Sequence, residues 1–242
     1  MKKLFFVTII LVIQFDLFAQ APKPKLTITE KTIIKDSSGM IYPTAIWSKL
    51  MQSGDYSLRP VDINDPNTDF ILFKLTEKEK ELRNTTAPKP AETKFFVTGK
   101  AFGKLKTTDM YGKSWNLKDL KGKIVVLNFW FINCPPCRAE IPHLNKIVEK
   151  YKSESDIVFL AVALDDKSEI ESFLKQIPFQ YTIIDRGGWL AQGYGIKSFP
   201  TNVVLDREGI VRFHATGYST TLPYWIEKSI EEIKAVNTLQ PK

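Results

Sequence analysis

The chain has 242 residues, 43% of them hydrophobic and 25% charged, with two cysteines, a composition that excludes a disordered tail and a disulfide-stapled miniprotein. Lys and Arg number 34 against 27 Asp and Glu, a net charge of +7, yet the charges are interleaved, as in Lys78-Glu79-Lys80-Glu81, and form no basic stripe of the kind nucleic acid requires. The 12 glycines and 14 prolines show no period and no apolar run reaches the length of a bilayer span, so collagen-like and many-span membrane classes are excluded as well.

Met1-Lys2-Lys3 is a positive head, Leu4 to Ile13 is an apolar run interrupted by Thr8, and Leu17-Phe18-Ala19-Gln20-Ala21 supplies small residues. This pattern predicts a signal peptide over 1–19, cleaved after Ala19 or Ala21. A helix rising about 1.5 Å per residue covers about half of a bilayer core before meeting Gln14 and Asp16, too little for a membrane anchor. The mature chain is therefore expected outside the cytoplasm, in the periplasm or cell envelope, where thiols can be oxidised.

Residues 22–84 read as a small α+β region of unassigned role. Leu26 to Ile34 alternates like a strand, Pro43 to Met51 is a short helix opened by proline, and Asp69 to Leu75 is strand-like beyond a turn-rich stretch. Residues 85–100 read as a linker and lead-in, because Thr85-Thr86-Ala87-Pro88-Lys89-Pro90-Ala91-Glu92 has two prolines and no large apolar residue. No chemical motif occurs in 22–100.

From residue 101 the pattern is regular. Gly103–Thr108 and Ser114–Leu117 flank a turn at Gly112, and Ile124 to Trp130 is an unbroken apolar run that reads as a central strand. A helix over Pro135–Tyr151, a strand over Ile157–Leu164, a helix over Ser168–Gln176 and a strand over Tyr181–Asp185 follow in alternation, which predicts parallel pairing. Asn202–Asp206 and Ile210–His214 form a hairpin around Arg207-Glu208-Gly209 before a final helix, Leu222–Val236. The fold class is α/β, a mixed central sheet flanked by helices over 101–236, with a tail at 237–242.

Both cysteines lie in Cys134-Pro135-Pro136-Cys137, where a strand ends and a helix starts. With Cys134 as the helix cap, Cys137 stands one turn later, a spacing that permits a disulfide, and the helix N-terminus favours a thiolate. Pro135 suits the first helical position, and Pro136 removes a second N–H donor, leaving that of Cys137 for the sulfur. A zinc half-site lacks its other half, since His143 and His214 are the only histidines, and an inert disulfide gains little by closing so short a loop.

These residues, with Leu117-Lys118-Asp119-Leu120-Lys121-Gly122-Lys123, Leu127-Asn128-Phe129-Trp130, Pro142 and Phe199-Pro200-Thr201, resemble the thioredoxin superfamily and more closely its exported TlpA/ResA-like thiol-disulfide oxidoreductases. The resemblance covers about 101–236. It implies a thioredoxin fold with Cys134 as attacking thiol, Cys137 as resolving thiol, and Pro200 as a cis-proline that leaves the backbone of Phe199 open to an extended substrate segment. Trp130 reads first as packing and, from its place beside the motif, is carried with Pro200 and Phe199 as a substrate-binding candidate.

Two departures matter. Thioredoxins carry an aspartate where Asn128 stands; Glu140, three residues beyond Cys137 and on its helix face, matches the glutamate of ResA-like proteins in this neighbourhood, and the resemblance makes it the expected general base. Asn133 replaces the usual tryptophan before the first cysteine, which alters the docking surface more than the chemistry. Pro142, His143 and His214 read as structural. Phe131 stands where a peroxidatic cysteine motif wants Thr or Ser, which argues against a peroxidase.

The expected activity is protein disulfide reduction, needing no dissociable cofactor and no metal. Its expected partners are disulfide-containing exported proteins, apocytochrome c among them, and a membrane thiol-disulfide electron donor. The alternatives are a disulfide oxidase or isomerase, and a binding module on a thioredoxin-like scaffold.

Overall fold

The computed structural model describes residues 25–238. The expected signal peptide, 1–19, with both cleavage positions, and the end of the tail, 239–242, lie outside the described residues. The chain divides into two compact units, one comprising residues up to Tyr42 with Leu58–Leu72, the other Pro43–Ser57 with everything from Phe73 onward.

In the first unit Ile34 of β1 (Ile34–Lys35) stands opposite Phe70 of β3 (Phe70–Lys74), to which β1 runs parallel; the sheet order is β1-β3-β2 with β2 at Tyr56–Pro60, and the division between the units falls within β2 and within β3. The strand expected from Leu26 shrinks to Ile34–Lys35. Thr32 N–H closes a turn on the Thr29 carbonyl, Thr29 N–H bonds the Thr32 hydroxyl, and Ile34 is the first buried side chain among the described residues. Alternation without a face to bury does not make a strand.

In the second unit α1 (Thr44–Gln52) opens after Pro43 as expected. Helix α2 (Glu77–Thr86), unexpected from the sequence, buries no side chain and is started by a capping box in which Thr76 Oγ1 accepts from Glu79 N–H. The lead-in up to residue 100 is tied to the rest of the unit, for Thr93 N–H donates to His214 Nδ1 at 3.0 Å and Phe96 stacks on Phe102 with ring centres 5.2 Å apart.

The short hairpin β4 (Lys106–Thr108) and β5 (Ser114–Asn116) turns through Gly112, whose φ of +87° is open to glycine and costly for other residues. Beyond it lies a five-stranded sheet of order β10-β9-β6-β7-β8, made of β6 (Ile124–Trp130), β7 (Ile157–Ala163), β8 (Thr182–Ile184), β9 (Thr201–Leu205) and β10 (Val211–Thr216). Strands β6, β7 and β8 are parallel, whereas β9 is antiparallel to β6 and to β10. Helices α3 (Pro135–Tyr151), α4 (Lys167–Leu174), α5 (Gly188–Gly193) and α6 (Leu222–Thr238) complete the unit; α5, one and a half turns long, is absent from the sequence reading.

Every residue of β6 is buried, because the sheet is covered on both faces. Ile124, Val126 and Trp130 pack with Ile141, Leu144 and Ile147 of α3 and Ile226 and Ile230 of α6, while Val125, Leu127 and Phe129 pack with Leu105, Leu190 and Ile196. The parity of β6 thus sends Asn128, with Ile124, Val126 and Trp130, toward α3. No helix among the described residues is long and apolar enough to cross a membrane.

Candidate active site

Strand β6 ends at Trp130 and α3 begins at Pro135, so the intervening residues carry Cys134 to the carboxyl end of the central strand, where crossovers in α/β sheets leave room for chemistry. Cys134 is the N-cap of α3, Pro135 and Pro136 fill its first two positions, and the Sγ of Cys134 accepts from the backbone N–H of Cys137 at 3.3 Å. The two cysteines are joined in a disulfide with Cα atoms 5.2 Å apart. In this state Cys134 is 3% exposed and Cys137 fully buried, while Asn133, Pro135 and Pro136 are exposed around them.

Ile132 N–H donates to the Asp165 carboxylate at 2.8 Å, which ties the approach to the motif to the end of β7. Burial holds the Asp165 carboxyl above the ordinary range, partly offset by that N–H.

Pro200 follows a cis peptide bond at the start of β9, and its carbonyl accepts from Gly217 N–H at 2.8 Å. Phe199 is partly exposed, meets the ring of Phe131 edge-on at 5.5 Å, and packs against the apolar cluster that contains both cysteines. Trp130 is different. It is fully buried, between Phe173 and Phe179 at ring-centre distances of 5.5 Å, and so offers no surface to a substrate; its place is in the core.

Glu140 lies on the buried stripe of α3 with Cys137, Ile141 and Leu144, and is 1% exposed. Its two oxygens accept from two amides, Oε1 from Asn128 Nδ2 at 2.6 Å and Oε2 from Asn202 Nδ2 at 3.1 Å. Burial pushes the carboxyl up to about 8, the two amide donors pulling the other way. Cys134, Cys137, Asn128 and Glu140 are marked by the sequence, whereas Asn202 is not. Its signal was an amide in a strand otherwise read as apolar, two residues past Pro200 and of the same parity as Val204. Tyr181, fully buried, and Tyr218 lie within reach of the Glu140 charge, and burial raises both phenols.

The histidines stay outside this cluster. His143 Nε2 approaches the Gln52 carbonyl at 3.3 Å and its ring faces Tyr218, while His214 is buried against Thr93. Among the described residues no group of three or more His, Cys, Asp or Glu side chains is arranged to hold a metal ion.

Comparison with known proteins agrees with this geometry. Residues 98–214 match the AhpC/TSA family. The thiol-disulfide oxidoreductase ResA of Bacillus thuringiensis subsp. konkukian is 36% identical over 124 residues, 50% of this chain and 71% of the relative. That of Halalkalibacterium halodurans is 33% identical over 128 residues, 52% of this chain and 71% of the relative. Among solved structures, a Chlorobium tepidum protein assigned as thiol:disulfide interchange protein DsbE superposes with a TM-score of 0.52 at 28% identity, over 57% of this chain and 98% of the other. A Bacteroides thetaiotaomicron protein assigned as a protein disulfide isomerase shares the fold, with a TM-score of 0.53 at 24% identity, over 57% and 91% of the two chains. The chain belongs to the ResA-like family of thiol-disulfide oxidoreductases with a thioredoxin fold.

Proposed function

We propose that the chain works outside the cytoplasm as a protein disulfide reductase. The observation that carries this reading is the seating of Cys134 and Cys137 at the N-terminus of α3 with Glu140 buried one turn beyond. The Cys134 thiolate attacks a substrate disulfide, forming a mixed disulfide and releasing one substrate thiolate. Glu140 takes the proton of Cys137, whose thiolate then attacks Cys134 and releases the second substrate thiolate. The enzyme ends oxidised and the substrate carries both electrons. The partly exposed Phe199, set by the cis bond to Pro200, which is itself buried, supplies the apolar ground beside the disulfide on which an extended substrate segment rests.

The substrates are disulfide-containing exported proteins, apocytochrome c among the candidates, and the electrons return from a membrane thiol-disulfide carrier. The leader-like pattern of residues 1–19 supports export, since a disulfide of this kind cycles where oxidants are present.

The test is the reduction potential of the pair in the mature protein, read by thiol trapping across dithiol buffers. A value near or below about −270 mV supports a reductase, whereas one near about −120 mV assigns an oxidase. In the same protein, Cys137→Ser should accumulate mixed disulfides with clients and Cys134→Ser should not. Equal behaviour of the two variants would assign the fold a scaffold role.

A further inference from the structure

We propose that Asn202 is a positioning residue for Glu140: together with Asn128 it clamps both carboxyl oxygens and favours their ionised form. The inference rests on the reading that Glu140 takes the Cys137 proton. Strands β6 and β9 pair with Asn128 opposite Asn202, and the parity of each strand turns its amide toward α3. Asn128 Nδ2 donates to Glu140 Oε1 at 2.6 Å and to Asn202 Oδ1 at 3.0 Å, and Asn202 Nδ2 donates to Glu140 Oε2 at 3.1 Å.

This closed ring fixes both amide orientations. Turning Asn202 over would set oxygen against oxygen at Glu140 and nitrogen against nitrogen at Asn128. All three side chains are at most 1% exposed, so a carboxylate here has no water to support it and depends on those N–H groups. No ion pair reaches Glu140 among the described residues. The titratable groups around it are Cys137 on its own helix, Tyr181 ahead of β8 and Tyr218 after β10, and none of them brings a hydrogen bond to it among the described residues. In β9, whose Val203, Val204 and Leu205 are wholly buried, an amide has no packing advantage over an apolar side chain. Its partners explain it.

The expected consequence is specific to pH. Without the Asn202 N–H, the protonated carboxyl is favoured, and Glu140 accepts the Cys137 proton only at higher pH. Reduced protein mixed with an aromatic disulfide whose thiolate absorbs visible light releases that thiolate in two phases, first by attack of Cys134, then by resolution through Cys137. For Asn202→Leu, which removes the N–H donor and adds no titrating group, the pH midpoint of the second phase should move up by about one unit or more, the size expected for one hydrogen bond to a charged group. The first phase should keep its profile. In the disulfide form of the unaltered protein, where neither cysteine titrates, the side-chain amide resonances of Asn128 and Asn202 should move with one shared midpoint that Glu140→Gln abolishes.

An unmoved second-phase midpoint in a folded variant, or an Asn202 amide that ignores Glu140, overturns the clamp. If Glu140→Gln itself leaves the second phase unchanged, the assignment of Glu140 as base fails instead, which separates the two ideas. The resonance measurement needs no variant at Asn202, so a misfolded substitution does not remove the test.

Discussion

The backbone N–H of Cys137 points at the sulfur of Cys134 across 3.3 Å, from the third position of the helix that Cys134 caps. The two positions before it are Pro135 and Pro136, which carry no N–H, so the first helical turn offers the sulfur one amide where an ordinary turn offers two. Pro136→Gly restores the second donor. The Cys134 thiolate should then be better stabilised, its thiol pKa should fall, and the reduced form should gain, making the pair more oxidising. Thiol alkylation against pH reads the first effect and a dithiol buffer series the second. A rise in the Cys134 pKa would show that Pro136 acts through backbone shape and not through its missing donor.

Glu140 couples the site to stability. Its folded-state value of about 8 lies above the ordinary 4.5, so the folded chain holds a proton that the unfolded chain releases. The stability tied to that proton is complete below about pH 4.5 and is lost as pH rises toward 8, at up to about 1.4 kcal/mol per pH unit. Glu140→Gln removes the titration. Urea unfolding at a series of pH values should therefore show a stability difference between variant and parent that grows in the variant's favour as pH rises from 5 to 8. A pH-independent difference would mean that water reaches the carboxyl.

The parts of the fold legible in the sequence are those in which one physical demand dominates. A strand covered on both faces must be apolar throughout, and Ile124 to Trp130 says so directly; α3 carries a capping residue, a proline at its first position and an apolar stripe through Ile141, Leu144 and Ile147. Helix α2 has no such stripe, being charged on all sides, and its start is written in the Thr76–Glu79 capping box alone. The Cys134, Cys137 and Glu140 constellation follows from spacing on one helix. Asn202 does not, because its partners lie 62 and 74 residues away and are brought near by strand pairing, which no local pattern records.

The hairpin between β9 and β10 is held by Asp206. One carboxylate oxygen accepts from the N–H groups of Glu208 and Ile210 at 3.0 and 2.9 Å, the other from Arg212 Nε at 2.6 Å, and the residue is 4% exposed. Asp206→Ala leaves two turn amides without their acceptor and Arg212 without its partner, and should cost about 2–4 kcal/mol in urea unfolding. Asp206→Asn keeps one oxygen for the turn and should cost less. Strand β9 separates this hairpin from Pro200 by about 17 Å, five residues of extended chain, so the reduction potential of Cys134 and Cys137 should be unchanged in both variants.

His214 gives stability a second dependence on pH, opposite in sign. Its Nδ1 accepts the Thr93 N–H at 3.0 Å, which requires a lone pair there and leaves the proton of the neutral ring on Nε2, 3.6 Å from Glu92. Burial lowers its pKa from the ordinary 6.5, and protonating Nδ1 would sacrifice the bond that holds the lead-in segment. Below about pH 6.5 the unfolded chain takes up a proton that the folded chain refuses, so stability falls as pH falls, until the folded ring itself titrates. With Glu140 acting from the other side, the parent chain should be less stable at both ends of this range than its other groups dictate. His214→Phe should be less stable at neutral pH by about 1–3 kcal/mol, because the Thr93 amide loses its acceptor, and should lack the acid-side loss. Unfolding of parent and variant at pH 5 and pH 7.5 decides it: a gap that narrows on acidification supports the neutral buried ring, and a constant gap shows that His214 is protonated equally in both states.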